Sequence, residues 1–263
     1  MDDLRTHELE RICLSAYLPV YGADALATAG ATCLRARAAP DSPMMNRVVG
    51  LGLGPALEEG DVDAALAAMG DTTFYVAVSP DADPRLDALL EARGLEVGLG
   101  WMLFERGPLP PPAVETTLAV AEVDTDSAGD WARIVLEGYG LPDACAPMVE
   151  RVPGLAGWHA YMALAGDDPA GAAAVWIDGE AAYFGFAATR PEHRGKGGQG
   201  ALFAARIERA VAAGCSRLVT ETGERRDDGP GNSYRNILRY GFEERVLVAH
   251  RLRRRAAGQS TAA

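Results

Sequence analysis

Two spacings of apolar residues alternate along the chain and predict a mixed α/β protein. Runs rich in β-branched and aromatic residues, such as TTFYVAVS at 72–79, predict strands, whereas apolar residues three and four positions apart predict helices. The predicted helices cover residues 3–17, 61–69, 84–93, 126–138, 144–151 and 233–240, with one more after the glycines at 195–200. The predicted strands cover residues 31–38, 47–53, 72–79, 101–105, 116–123, 159–165, 172–177, 181–188, 217–221 and 244–252.

The order of these elements repeats in the two halves of the chain. In each half a strand, a helix, a strand and a helix lead to a glycine and a final strand, as in ARGLE at 92–96 and RYGFE at 239–243. The densest proline cluster, ERGPLPPPAVE at 105–115, separates the halves and predicts a stiff linker. The expected organisation is therefore an N-terminal domain (1–106), a Pro-rich linker (107–115), a second domain (116–253) and a disordered tail (254–263).

The turns of the second half predict how its strands pair. Short polar turns, GDDPAG and DGE, join three successive strands and predict antiparallel hairpins. The expected fold is two copies of one α/β (α+β) unit, with mixed, mostly antiparallel sheets flanked by helices.

A glycine-rich loop with basic residues lies between the strand at 181–188 and the helix that follows. Its sequence, RGKGGQG at 194–200, allows the backbone to bend and brings free helical N–H groups close to an anion. The helix dipole adds to this attraction for phosphate oxygens. A flexible turn without a ligand is the alternative, but the composition and the position favour a phosphate-bearing ligand.

Composition excludes several classes of function. The formal net charge is −12, with 37 acidic and 25 basic residues, so we expect no nucleic-acid partner. No stretch approaches the roughly 20 apolar residues that cross a bilayer, and the charged N-terminus lacks a signal-peptide core, so we expect no membrane partner. The four cysteines are scattered and predict reduced thiols in a cytoplasmic protein without a metal site.

A dinucleotide-binding fold is one interpretation of the loop. GKGGQG matches GxGxxG at Gly195, Gly197 and Gly200, and Glu221 follows at about the 20-residue distance that this fold requires. Five residues (190–194) separate the strand from the first glycine, however, and predicted hairpins precede that strand. Both features disfavour this interpretation, and no P-loop sequence is present.

The sequence ATRPEHRGKGGQGAL resembles the signature loop of the GNAT superfamily of acyl-CoA-dependent N-acetyltransferases. That loop reads Arg or Gln, two residues, Gly, one residue, then Gly or Ala. Arg194 and Gly197 match it, whereas Gln199 stands at the last position with Gly200 directly after it. The resemblance covers residues 116–252 and includes the element order, the proline before the loop and the closing Gly-Phe at 241–242. It implies tandem GNAT-like units, of which the first is degenerate because Glu58 and Glu59 stand where phosphates would lie.

The resemblance implies a site for acetyl-CoA as co-substrate. The amides of the loop would bind the diphosphate with help from Arg194 and Lys196, and the pantetheine arm would run beside residues 184–188. An amide near Ala187 or Ala188 would polarise the thioester carbonyl. The residues implied in coenzyme A binding are Phe186, Ala187, Ala188, Thr189, Arg194, Gly195, Lys196, Gly197, Gly198, Gln199, Gly200, Ser233 and Asn236.

The catalytic residues are expected near the end of the strand at 217–221. Glu221 is the candidate base for the attacking amine, or alternatively a solvated strand-end carboxylate. The family's usual proton-donating tyrosine falls at Ile237, which cannot donate, so Tyr234 is the candidate acid, with Ser233, Tyr240 and the more remote Tyr183 as alternatives. The expected reaction is direct acetyl transfer to a primary amine of a small molecule. A coenzyme A-binding protein without turnover is the main alternative, and a dinucleotide-dependent oxidoreductase a weaker one.

Overall fold

The computed structural model describes residues 3–28, 30–54, 56–225 and 231–256, of which residues 3–6 are described by their backbone alone. The helices are α1 (Asp3–Tyr21), α2 (Glu59–Met69), α3 (Leu86–Ala92), α4 (Ala128–Tyr139), α5 (Ala146–Glu150), α6 (Gly198–Ala212) and α7 (Asn232–Arg239). The strands of the first hundred residues are β1 (Ala25–Thr28), β2 (Ala31–Arg35), β3 (Asn46–Val49), β4 (Phe74–Val78) and β5 (Glu96–Val97). The later strands are β6 (Trp101–Arg106), β7 (Ala119–Glu122), β8 (Trp158–Ala165), β9 (Asp168–Asp178), β10 (Ala181–Thr189), β11 (Arg217–Gly223) and β12 (Glu243–Arg253).

The chain forms two compact units whose segments interleave in sequence. The first unit takes in described residues from 1–7, 21–100 and 248–263, and the second takes in residues 8–20 and 101–247. A single division at 107–115 would instead assign β6 to the first half and all of β12 to the second. The compact units therefore do not coincide with the sequence ranges 1–106 and 116–253, and strand pairing explains why.

In the first unit, β2 and β3 form an antiparallel pair, and β3 runs parallel to β4. The other edge of β4 pairs antiparallel with residues 249–253 of β12. Helix α2 connects β3 to β4 and packs its buried Val62, Ala65 and Met69 into the core of this unit. The last strand of the chain thus completes the sheet of the first unit.

In the second unit the sheet order is β6-β11-β10-β9-β8-β7. β10 runs parallel to β11, and the other neighbours are antiparallel, as the predicted hairpins require. Strand β6 pairs with β11, from Trp101 opposite Gly223 to Arg106 opposite Leu218. The same sequence of pairings occurs in both units, with an antiparallel hairpin, a helical crossover to a parallel strand, and then an antiparallel strand.

Several elements differ from the sequence-based prediction, including the unpredicted strand β5, and three of the differences have a local cause. Strand β1, ALAT, was not predicted, because four small or apolar residues without alternation do not distinguish a strand from a helix. Helix α1 continues through Pro19 to Tyr21, and Arg151 donates to the carbonyls of Pro19 and Val20 at its C-terminal end. Strand β3 ends at Val49, short of the predicted residue 53, because Gly50 and Gly52 turn the chain with φ of 84° and 80°.

Two further predictions concern the ends and the surface of the chain. Residues 257–263 of the predicted disordered tail, and residues 226–230 before α7, lie outside the described residues. Within the described part of the chain, each helix is too short or too polar to cross a membrane. All four cysteines are buried.

Candidate functional site

The glycine loop turns the chain between β10 and α6. A single 3₁₀ turn at Pro191–His193 leads into the loop, and Gly195 and Gly197 both adopt left-handed backbone conformations, with φ of 78° and 79°. A Cβ at Gly197 would lie 2.7 Å from the carbonyl oxygen of Glu115, so glycine is required there for space as well as conformation. A Cβ at Gly195 would have nothing within 4 Å, which places open space beside this residue.

The backbone N–H groups of residues 195–200 point to an anion site. Within the described residues, none of these six amides donates a hydrogen bond to the chain, and the first amide that does so is that of Ala201, 3.0 Å from the Gly197 carbonyl oxygen. Unpaired amides at a helix N-terminus carry partial positive charge. The exposed side chains of Arg194 and Lys196 add two full charges beside them.

Gln199 departs from the family loop, and its position shows why the departure is compatible with an anion site. Its side-chain Nε2 donates to the carbonyl oxygen of Ala188 at 2.9 Å and to Oγ1 of Thr189 at 2.7 Å. The side chain therefore ties the first turn of α6 to the end of β10. Gly200 is small for a different reason, because a Cβ there would lie 2.2 Å from the Tyr240 hydroxyl oxygen.

β10 separates from β11 next to the loop. Their parallel pairing extends from Ala181 opposite Arg217 to Phe184 opposite Thr220. Directly after this, the β9–β10 register shifts between Gly185 and Ala188, and Phe186 adopts a φ of 52°, an unusual value for a bulky residue. Ala187 on β10 and Glu221 on β11 thus lie just beyond the point where the two strands stop pairing.

Tyr139, which sequence reasoning missed, lies beside the backbone amide of Ala187. Gly138 allows this approach, because a Cβ there would lie 2.4 Å from the Cβ of Ala188. Burial raises the pKa of Tyr139, the Ala187 amide and the charge of Arg206 lower it, and the charge of Glu221 raises it again. The Gly-Tyr-Gly sequence at the end of a predicted helix is the signal that could have identified it.

Arg206 is a second residue that sequence reasoning did not single out. Its guanidinium is buried beneath the sheet, donates to the carbonyl oxygen of Ala174 at 3.3 Å and lies 5.1 Å from the Phe184 ring centre. Burial lowers its pKa to about 9. The three-residue spacing places Arg206 on the same face of α6 as the buried Phe203, but a charged side chain is expected to face solvent, so its burial was not predicted.

Glu221 is partly buried and hydrogen-bonded. The Tyr183 hydroxyl donates to Oε1 of Glu221 at 3.2 Å, and the Tyr17 hydroxyl lies 2.6 Å from that of Tyr183. Burial raises the pKa of Tyr183 well above its ordinary value, and the charge of Glu221 raises it further. The structure thus places the candidate base in a polar chain with two tyrosines, one of which lies in α1.

Tyr234 occupies a different environment from Glu221. Its ring is buried edge-to-face against Phe104, with centres 4.9 Å apart, and Arg225 lies over it at 5.0 Å. Burial raises the pKa of Tyr234, and its hydroxyl faces Arg225 and Glu244. Since Glu221 bonds with Tyr183 instead, the structure places the two predicted catalytic residues in separate polar groups.

The remaining predicted residues lie on α7. Ser233 is exposed and Asn236 is half-buried, three positions apart and therefore on neighbouring parts of the helix surface. Ile237 is buried in the core of the second unit. The roles predicted for Ser233 and Asn236 in binding coenzyme A, and for Tyr234 in proton donation, stay predictions.

The corresponding loop of the first unit satisfies its own helix N-terminus. The Glu58 side chain accepts a hydrogen bond from the Asp61 amide, and the Asp61 carboxylate accepts one from the Glu58 amide at 2.9 Å. Carboxylates of the chain therefore bind the amides at the start of α2. This agrees with the prediction that the first unit is a degenerate copy.

Comparisons with known proteins agree with this geometry. Residues 133–229 match the model of the acetyltransferase (GNAT) family. No curated protein sequence matches the chain. Among solved structures, a GCN5-related N-acetyltransferase from Kribbella flavida is similar over 96% of this chain and 97% of its own, with 18% identity and a TM-score of 0.63.

Two more structures share the fold. A GCN5-related N-acetyltransferase from Sphaerobacter thermophilus matches 87% of this chain and 77% of its own, with 15% identity and a TM-score of 0.67. A tandem GNAT protein from the clavulanic acid biosynthesis pathway matches 84% of this chain and 77% of its own, with 20% identity and a TM-score of 0.55. The family match and the shared fold replace the dinucleotide-fold interpretation. Residues 133–229 thus match the GNAT acetyltransferase family, and the chain shares the fold of these GNAT structures.

Proposed function

We propose that this protein transfers an acetyl group from acetyl-CoA to a primary amine of a small molecule, by direct attack of the amine on the thioester. The observation that carries the proposal is the set of six unpaired amides at residues 195–200, next to the separation of β10 and β11. An anion site and an open strand edge lie side by side in this arrangement, as a phosphate-bearing acyl donor with an extended arm requires.

The residues of the loop fit coenzyme A. The amides of residues 195–200 would hold the diphosphate, and Arg194 and Lys196 would neutralise its charge. The open space beside Gly195 leaves room for a ligand, and the edge of β10 from Phe186 to Thr189 would hold the pantetheine arm. Acetyl-CoA, when bound, supplies an activated thioester carbonyl.

Three groups near the separated strands supply the chemistry. The Ala187 amide can donate to the carbonyl oxygen as negative charge develops on it. Glu221 can accept the proton of the amine, since its carboxylate lies just beyond the last paired residue of β11. Tyr139 is better placed than Tyr234 to protonate the departing thiolate, because its hydroxyl lies beside the Ala187 amide and its raised pKa keeps it protonated.

The acceptor and the location are inferred from general properties of the chain. The net charge of −12 favours a cationic acceptor such as a small amine. Four buried cysteine thiols, none of them in a disulfide, favour the reducing cytoplasm.

Thiol release from acetyl-CoA tests the proposal against binding without turnover. The purified protein is mixed with acetyl-CoA, and free thiol is measured with and without each member of a panel of primary amines. We expect at least one amine to accelerate release, and the acetylated amine to appear in equal amount by mass spectrometry. Tight binding of acetyl-CoA with no stimulation by any amine would establish the coenzyme A-binding alternative instead.

A further inference from the structure

Part of the N-terminal helix packs within the second unit, although it lies far outside the residues that match the family. The Trp158 indole donates to the carbonyl oxygen of Ala16 at 3.2 Å, and Arg151 donates to that of Pro19 at 3.0 Å. Glu8 pairs with Arg217 of β11. These contacts fix residues 8–20 of α1 against the sheet that carries Glu221.

Tyr17 projects from this helix toward the part of β10 where the β9–β10 register shifts, between Gly185 and Ala188. Its ring packs edge-to-face on Tyr183, with centres 5.3 Å apart, and on Phe186, with centres 6.4 Å apart. Trp158 packs edge-to-face on the same two rings. Both rotation and displacement of Tyr17 are therefore restricted, so that its hydroxyl is held toward Tyr183.

The hydrogen bonds between these hydroxyls can run in one direction only. A carboxylate accepts hydrogen bonds and cannot donate them, so Tyr183 donates its one hydrogen to Oε1 of Glu221. With that hydrogen used, the 2.6 Å contact between the two hydroxyls requires Tyr17 to donate to Tyr183. The polar chain thus runs from Tyr17 through Tyr183 to Glu221.

Because this polar chain is buried, its hydrogen bonds are stronger than hydrogen bonds at the protein surface. Tyr183 is 2% exposed, and hydrogen bonds in such a low-dielectric setting strengthen one another. The titratable groups that face it from neighbouring elements are Cys13 on α1 and Tyr139 at the end of α4, and the charge of Arg206 acts in turn on Tyr139. Cys13 and Tyr139 are uncharged while they are protonated, and therefore they do not attract the carboxylate through charge. The hydrogen bond from Tyr183 stabilises the negative charge at Oε1 of Glu221.

We propose that Tyr17 and Tyr183 are positioning residues, which hold Glu221 as an oriented carboxylate that takes the proton from the acceptor ammonium group. In this step an N–H bond of the ammonium breaks and an O–H bond forms on Glu221. The nitrogen keeps the electron pair that attacks the carbonyl, while both tyrosines retain their own protons. The inference rests on the proposed acetyl transfer, and it assigns part of that reaction to the N-terminal helix.

Phenylalanine substitutions test the polar chain because they remove one hydroxyl and keep each ring. We compare Tyr183→Phe, Tyr17→Phe and the double variant, with Tyr161→Phe as the control, since Tyr161 is a buried tyrosine of the same sheet outside this polar chain. Circular dichroism melts verify folding, and calorimetry measures acetyl-CoA binding. Turnover is measured as kcat and KM with an amine that the wild-type protein acetylates.

For Tyr183→Phe we expect a loss in kcat of about tenfold or more, the size of a hydrogen bond to a charged group. The KM for the amine should change less than kcat, because the lost hydrogen bond orients the carboxylate and does not bind the acceptor. Acetyl-CoA affinity should stay unchanged. Tyr17→Phe should show a smaller effect, and the loss in the double variant should be smaller than the two single losses combined, because the two hydroxyls are hydrogen-bonded to each other.

The outcomes separate this inference from the proposed function. A wild-type protein that acetylates no amine contradicts the proposed function, and the inference with it. An active wild type whose Tyr183→Phe and Tyr161→Phe variants share its kcat contradicts the inference alone. Strictly additive losses in the double variant would likewise overturn the one-way polar chain.

Discussion

The side-chain amide of Gln199 donates to the carbonyl oxygen of Ala188, 2.9 Å away, and so joins the start of helix α6 to the end of strand β10. The two parts of the proposed site, the loop amides and the edge of β10, are held in register by this contact. A residue that departs from the family pattern thereby acquires a structural role at the site.

Replacing Gln199 by alanine should weaken acetyl-CoA binding without unfolding the protein. Two hydrogen bonds are lost, to Ala188 and Thr189, each worth about 1 kcal/mol, so we expect affinity to fall about 3- to 30-fold. Calorimetric titration measures the change. Gln199→Met serves as the matched variant, because it keeps nearly the length of the side chain and removes the donor. If both variants bind acetyl-CoA with wild-type affinity, the Gln199 contact does not contribute to the binding site.

Replacing Arg194 or Lys196 by alanine should weaken binding through charge. Each side chain is exposed beside the loop amides, and we expect a loss of about tenfold, which shrinks as salt is raised. Calorimetry at low and high ionic strength gives both quantities. Arg37→Ala in the first unit, whose side chain pairs with Asp24, is the control and should leave affinity unchanged; an equal loss in the control would refute a local role for the two cations.

Tyr139→Phe should slow turnover more than Tyr234→Phe. If Tyr139 protonates the departing thiolate, its loss should lower kcat by about 100-fold or more and leave acetyl-CoA affinity nearly unchanged. Steady-state kinetics and calorimetry on both variants make the comparison. The reverse ranking, with Tyr234→Phe the slower enzyme, would restore the assignment made from sequence.

His250 should make the first unit less stable in acid. Burial and the charge of Arg47 lower the pKa of His250 to about 4, against the opposing effect of the hydrogen bond to the Leu99 carbonyl. Because the unfolded His has a pKa near 6.5, the unfolded state binds the proton first, and stability falls between about pH 6.5 and 4.

The loss through this window should be on the order of 3 kcal/mol, and it should level off below pH 4, where both states are protonated. Urea unfolding at successive pH values measures it. His250→Gln removes the titrating group, so the difference in slope between variant and wild type isolates His250. Parallel slopes from pH 7 to pH 4 would be inconsistent with a buried neutral histidine.

The sequence allowed prediction of features whose determinants are local. The glycine loop, its helix and the hairpins before it are contiguous, so residue type and spacing identify them. The acidic residues at the start of α2 also predicted a loop that repels phosphate, and Glu58 and Asp61 form the capping contacts there.

Features that depend on contacts between distant segments could not be predicted from the spacing of residues along the sequence. Strand β6 pairs with β11, and the end of β12 pairs with β4, because strand pairing is decided by tertiary contacts rather than by proximity along the chain. The contact between Tyr17 and Tyr183 spans 166 positions and gives no periodic signal. Tyr139 reaches Ala187 only because Gly138 lets α4 approach β10, which needs three-dimensional knowledge of both elements.

The central claim is that the free amides of residues 195–200 bind the diphosphate of coenzyme A, and the amide resonances of the loop glycines test it most directly. Glycine labelled with nitrogen-15 makes Gly195, Gly197, Gly198 and Gly200 visible by NMR, together with Gly179 and Gly214 as internal references in the same unit. On titration with coenzyme A, we predict large shifts of the four loop amides and little change at the two references. If the protein is saturated with coenzyme A and the resonances of the four loop amides do not shift, the proposed diphosphate site is contradicted.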